Sequence, residues 1–240
     1  VAPLKLGENA KGSLDQIIAV LRKHTPINFD LYKDGTLLRR IERRMALRHM
    51  ESSGDYLMLL KDSADEAQNL CADLLISVTS FFRDKDAFEY LEKAVLEKLV
   101  MSHDSKQPIR IWVPGCATGE EAYSLAMLVI EKIATSRKDV KLQIFASDVD
   151  MRALKIAREG VYPESIAESV SAARLSRFFT KEDHSYRVMP ELRDAVVFAN
   201  QNFLADAPFS KLDLISCRNV MIYLTLDAQE RVIQMFHFAL

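Results

Sequence analysis

The sequence predicts an α/β fold in two parts: a small all-helical N-terminal domain, then a parallel sheet that carries a small antiparallel β excursion. Three observations predict it. Up to about residue 75 the apolar residues recur only at helical spacing. From residue 109 onward four short β-rich runs alternate with helical stretches, and strands joined by such crossovers lie parallel. The first of those runs, Ile109 to Val113, passes through Pro114-Gly115-Cys116-Ala117-Thr118-Gly119 straight into Glu120, Glu121 and a helical pattern, the strand–loop–helix order of an open α/β sheet.

In chain order, residues 1–12 are aperiodic and read as a tail. Ser13 is an acceptable N-cap for a helix carrying Leu14, Ile17, Ile18 and Leu21. Asp34 to Met50 is a stronger helix, with Leu38, Ile41 and Met45 as its apolar stripe. Arg39, Arg40, Arg43, Arg44 and Arg48 lie on the other side, opposed within that helix only by Glu42. So one-signed a face suits an acidic partner, the alternative being a solvated surface. Gly54 reads as the break after it, followed by helices over 55–60 and 66–75. Ile76 to Asp84 interrupts the helical pattern, which Phe88, Leu91, Val95 and Leu99 resume before a polar connection over 101–108. The expected division is therefore a helical domain over 13–84, a linker helix and connection over 85–108, and a ligand-binding domain over 109–240.

Within that last domain, strands are expected near 109–113, 141–146, 195–199 and 212–216, with Gly160 ending the helix after the second. A polar turn inside Phe178 to Arg193 marks a hairpin, and the β excursion is expected at about 176–194. The glycine loop lacks both the Gly-Lys-Ser/Thr of a phosphate loop and the third glycine of a dinucleotide fingerprint. Two carboxylates at the helix start repel a pyrophosphate and suit a cationic or hydroxyl-bearing ligand; a solvated acidic helix end is the plainer alternative. Asp148 closes the second strand, where doubly wound folds bind ribose hydroxyls, and Asp150 is the better helix cap.

Composition narrows the classes further. A net charge of -2 and a pI near 6.3 offer no global basic field, so no nucleic-acid partner is expected. Cys71, Cys116 and Cys217 have neither pairable count nor metal-ligand spacing, which fits a reducing compartment and no metal. No stretch is apolar enough to span a bilayer, and VAPLKLGENA is no signal peptide. A cytoplasmic protein without membrane insertion is expected.

Four segments together resemble the chemotaxis receptor methyltransferase family: SVTSFFRD (Ser77 to Asp84), GCATGEEAYSLA (Gly115 to Ala126), FASDVD (Phe145 to Asp150) and SCRNVMIYL (Ser216 to Leu224), in order and suitably separated. The resemblance implies a Rossmann-like, class I methyltransferase domain after the helical one. It implies methyl transfer from S-adenosylmethionine, leaving S-adenosylhomocysteine, to glutamate side chains in the cytoplasmic helical region of methyl-accepting chemoreceptors. It puts Ser77, Thr79, Arg83, Glu120, Asp148, Asn202, Phe203 and Asn219 on the cofactor, and Arg83 and Tyr223 near the reacting carboxylate. The arginine helix becomes the receptor-docking face. The hairpin turn is shorter than in members that grip a receptor's C-terminal pentapeptide, so such tethering is not expected. The family pattern continues past the last helix into strands that complete the sheet, so the sheet is expected to be incomplete at its C-terminus. A methyltransferase for another acceptor, and a non-catalytic module that binds the cofactor or its product, are the rival readings.

Overall fold

The computed structural model describes residues 10–136 and 138–240, which form two compact units. The first holds residues up to Ile76 together with Asn219–Arg231; the second holds Ser77–Arg218 and Val232–Leu240. The sequence placed its first boundary near residue 84, and nothing in the pattern announced that a segment from beyond residue 218 belongs with the N-terminal helices.

The first unit is built on α1 (Ala10–Leu21), α2 (Asp34–Leu47), α3 (Ser53–Asp62) and α4 (Ala64–Leu74). Residues 1–9 of the expected tail lie outside the described residues. From Ala10 the chain is already helical, so Ser13 is inside α1 rather than capping it, and its hydroxyl lies 3.2 Å from that of Ser53. Leu14, Ile17, Leu37, Ile41, Met45, Tyr56, Leu60 and Leu70 form the buried core, with Leu37 taking the place in the α2 stripe that was read for the half-buried Leu38.

Gly54 does not end α2. His49 does: its φ of 55° lets its own N–H reach the Ala46 carbonyl and the Met50 N–H reach that of Met45, a Schellman cap made without glycine. Ser52 then caps α3, and Gly54 sits inside it. The returning segment joins this unit through a bridge between Tyr32 and Leu224, with the Lys33 N–H on the Tyr223 carbonyl at 2.9 Å.

The second unit opens with the segment from Ser77 and a continuous helical stretch: α5 (Lys85–Tyr90), a π-helical turn (Leu91–Leu96) and α6 (Glu97–Ser102). Its parallel sheet comprises β1 (Ile109–Pro114), β2 (Leu142–Asp148), β6 (Val196–Asn200) and β7 (Leu214–Ile215), in the order β6-β2-β1-β7. The four expected strands are the four observed. Residues of β1 alternate between faces as the pleat demands. Ile109, Ile111 and Val113 join the large core with α7 (Glu120–Ser136), while Trp112 points the other way among Phe145, Phe209 and Phe236.

Strand order grows outward from β1 through β2 to β6, then jumps to β7 on the other side of β1. That reversal opens a crevice at the carboxyl ends of β1 and β7, the place where open α/β sheets bind ligands.

α8 (Met151–Glu159) follows β2, capped by Asp150 and ended by Gly160 at φ 61°, as the sequence suggested. The antiparallel sheet has three strands rather than a bare hairpin: β3 (Val161–Pro163) pairs with β5 (Ser185–Val188), which pairs with β4 (Phe179–Glu182). The stretch between Val161 and Phe179, irregular in the sequence, holds β3, a short 3-10 turn and α9 (Ala172–Phe178); α10 (Pro190–Asp194) leads on to β6.

Candidate functional site

The loop after β1 takes its shape from β2. The N–H groups of Gly115 and Cys116 both donate to the Ser147 carbonyl, at 2.7 and 3.0 Å, and the N–H of Ala117 donates to Asp148 Oδ2 at 2.8 Å. Gly115 (φ 70°), Ala117 (48°) and Gly119 (96°) are all left-handed. Ala117 carries a side chain there, a strained choice that the Asp148 carboxylate stabilises. Gly119 is needed for packing as well: a Cβ would lie 3.0 Å from Ala157 Cβ and 3.1 Å from both Phe198 and the Tyr162 hydroxyl.

Asp148 therefore organises the loop. Its other oxygen accepts from the Asp150 N–H at 2.9 Å. Each oxygen keeps a further lone pair, so the carboxylate can still receive hydroxyls. Burial pushes its pKa up from the ordinary value, and the backbone donors pull it back. Ser77 is tied to the same corner, its hydroxyl donating to Asp150 Oδ2 at 3.4 Å.

Two more carboxyls line this edge. Glu120 accepts the Thr118 hydroxyl at 2.6 Å, and burial again raises it. Glu121 accepts the Ser216 hydroxyl at 2.6 Å, a bond that crosses the crevice from α7 to the end of β7. Burial pushes Glu121 up to about 7, against the pull of Ser216, Arg218 and Arg83. The sequence read Glu121 together with Glu120 as suited to a cationic or hydroxyl-bearing ligand but put only Glu120 on the cofactor, and only the fold shows which residue Glu121 meets.

Arg83 is half-buried and donates from Nη1 to the Val78 carbonyl at 2.8 Å, closing its own segment into a loop. Phe82 and Asp84 on either side have φ of 50° and 57°. A cavity of about 930 Å³ opens beside this loop, lined by Phe82, Arg83, Phe88, Val170 and Arg174 among others. Thr79 is half-buried in the same segment.

The remaining predicted residues divide. Asn202 uses its side-chain oxygen on the Leu204 N–H at 3.1 Å, holding the turn after β6. Phe203 packs into the cluster around Trp112 and Leu212, so its ring is core wall, as its apolar size favours. Asn200, which the sequence did not single out, donates to the carbonyls of Asp148 and Val149 and brackets the end of β2. Asn219 (φ 56°) and Tyr223, in a 3-10 turn, belong to the first unit.

The arginine face, also in the first unit, is not one-signed. Arg44 makes a two-point pair with the buried Glu66 at 2.7 and 2.9 Å and reaches Asp73 at 3.0 Å; Arg48 also binds Glu66. Tyr56 donates a third kind of bond to the same carboxylate, at 3.1 Å. These acids lie on α4, too far along the chain for helix-local pattern reading. Arg39 and Arg43 remain exposed and Arg40 half-exposed, none in an ion pair among the described residues.

Other chemistries find little here. Burial holds the Cys116 thiol well above its ordinary value and pushes Cys217 up to about 12, so neither is a thiolate nucleophile. No helix among the described residues is long and apolar enough to cross a membrane.

A doubly wound sheet with a glycine loop and half-buried carboxyls at its switch point is a Rossmann-like frame. The matched families place it further: CheR methyltransferase, all-alpha domain, over residues 13–75, and CheR methyltransferase, SAM binding domain, over residues 77–240. The chain belongs to the CheR methyltransferase family. An uncharacterized 104.1 kDa protein in the hypE 3′ region of Rhodobacter capsulatus is 41% identical over 227 residues, covering 95% of this chain and 24% of that protein. The chemotaxis protein methyltransferase of Listeria monocytogenes is 31% identical over 217 residues, 90% of this chain and 80% of its own length. Chemotaxis protein methyltransferase 2 of Pseudomonas aeruginosa is 34% identical over 226 residues, 91% and 78%.

Proposed function

We propose that this chain transfers a methyl group from S-adenosylmethionine to glutamate side chains in the cytoplasmic helical region of bacterial chemoreceptors. The observation that carries the reading is the set of three half-buried carboxyls, Glu120, Glu121 and Asp148, at the switch point. A phosphate would be repelled there. A nucleoside with ribose hydroxyls and a cationic amino-acid end is complementary, and the chemotaxis methyltransferases among the relatives point to the receptor as acceptor.

In this reading Asp148 receives the ribose hydroxyls and Glu120 the amino-acid ammonium. Ser77, Thr79 and Arg83 cover the cofactor from their segment, and Asn202 approaches the adenine side. When bound, the cofactor supplies an electrophilic methyl group on a cationic sulfur. The acceptor glutamate, with an ordinary pKa of about 4.3, is ionised at neutral pH and needs no general base. Transfer cancels a positive and a negative charge, so alignment and exclusion of water matter more than added charge. Arg83 is suited to position the acceptor. A guanidinium that paired tightly with the nucleophile would slow its attack, which favours Arg83's observed bond to the Val78 carbonyl.

Arg39, Arg40 and Arg43 are the docking cations, because Arg44 and Arg48 are held by Glu66. Titration calorimetry with S-adenosylhomocysteine, then tritium transfer from labelled S-adenosylmethionine to receptor membranes, tests the reading. Binding followed by transfer is expected. Binding without transfer would favour a non-catalytic sensor, and no binding would refute the site.

A further inference from the structure

Tyr162 is 2% exposed and stands on β3 of the antiparallel sheet. Its hydroxyl donates to the Thr118 carbonyl at 2.7 Å, seated where Gly119 lacks a Cβ. Thr118 in turn donates its own hydroxyl to Glu120 Oε2 at 2.6 Å. The Tyr162 ring meets Phe81 edge-on at 4.9 Å and Tyr123 at 6.1 Å, and Phe179 of β4 meets Phe81 at 5.7 Å. One side chain of the small sheet thus touches both the segment from Ser77 to Arg83 and the glycine loop. Burial holds its phenol well above the ordinary value, so at physiological pH it is always a donor.

We propose that Tyr162 is a positioning residue for Glu120: by holding the Thr118 carbonyl it aims the Thr118 hydroxyl, which fixes the carboxyl that receives the amino-acid end of the cofactor. The inference rests on the cofactor reading above and deepens it. Without the phenol, the Thr118 carbonyl loses its donor inside a packed loop, and the peptide before Gly119 is free to turn. The small sheet then has a part in cofactor selection, apart from any contact with a receptor.

The test uses two probes that share the nucleoside and differ at the amino acid. S-adenosylhomocysteine has the amino-acid end; 5′-methylthioadenosine lacks it. Tyr162→Phe keeps the ring stack and removes the hydroxyl. Calorimetry should show S-adenosylhomocysteine bound about tenfold more weakly, the scale of one hydrogen bond to a charged group, with 5′-methylthioadenosine within about twofold of wild type. Thr118→Val, which removes only the second bond, should show the same selective loss, and the double variant should lose no more than either single one. Equal losses on both probes, or no loss on S-adenosylhomocysteine, would overturn the inference. If Tyr162→Phe does not melt cooperatively, Thr118→Val decides alone, by the same selectivity. A wild-type protein that bound neither probe would overturn the cofactor reading itself, and the inference with it.

Discussion

Two carboxyl sites in this molecule, one built on the buried Glu66 and one on the half-buried Glu120, Glu121 and Asp148, have opposite chemistry. In the helical unit Glu66 is 1% exposed yet held down at about 2, because Arg44, Arg48 and Tyr56 all donate to it and outweigh the cost of burial. At the sheet's switch point Glu121 is pushed up to about 7, because one serine hydroxyl and more distant arginines do not offset that cost. The first group is complete in itself and its work is to join α2 to α4. The second has bonding capacity left over, which is the mark of a place kept for a ligand. A charge cluster is read for function by asking what remains unsatisfied, not how many charges it holds.

The largest effect expected from breaking the comparison is in the complete cluster. Arg44→Met leaves Glu66 buried with two of its three partners and should cost about 3 to 5 kcal/mol of unfolding free energy, read by urea denaturation. A loss near zero would mean that the cluster is as solvent-relaxed as a surface pair.

Next comes pH, where the two groups should slope in opposite directions. Glu66 is depressed, so its stabilisation is present above about 4.5 and is lost as pH falls toward 2. Glu121 is raised, so its contribution is full below 4.5 and is lost as pH climbs to about 7, a change of about 3 kcal/mol. Thermal melts of Glu121→Gln across that window should lose the decline that wild type shows; a decline of unchanged depth would assign it to other groups.

Asp148→Ala should weaken S-adenosylhomocysteine binding by about 1.5 to 3 kcal/mol, since it removes both a hydroxyl acceptor and the tie to Ala117. Unchanged affinity would take Asp148 out of the site.

Smallest per residue are the exposed arginines. Reversing Arg39, Arg40 and Arg43 to Glu should raise the KM for receptor by about 0.2 to 1 kcal/mol each and flatten its salt dependence, with cofactor affinity unchanged. If methylation and its salt response survive, the face is merely solvated. Including Arg44 or Arg48 would confuse docking with folding, because both belong to the Glu66 cluster.

What the sequence made legible was what is local. Strand periods, the glycine loop, the Asp150 cap and the Gly160 stop depend on neighbours within a few residues, and each is where the pattern put it. Missed features join distant residues. Glu66 sits 22 positions from Arg44, Ser216 sits 95 from Glu121, and Tyr162 sits 44 from Thr118. The end of α2 was missed for another reason: His49, not the glycine at position 54, takes the left-handed conformation that stops the helix. Phe203 was assigned by motif position, which carries no information on whether a ring faces a ligand or Trp112.

The most direct measurement is the chemical stability of the transferred methyl group. Receptor membranes incubated with the protein and methyl-tritiated S-adenosylmethionine, then treated with mild alkali, should release the label as volatile methanol, because a glutamate methyl ester hydrolyses where a methylated nitrogen does not. Base-labile label above a no-enzyme control is the predicted result. Base-stable label, or none, would contradict glutamate O-methylation.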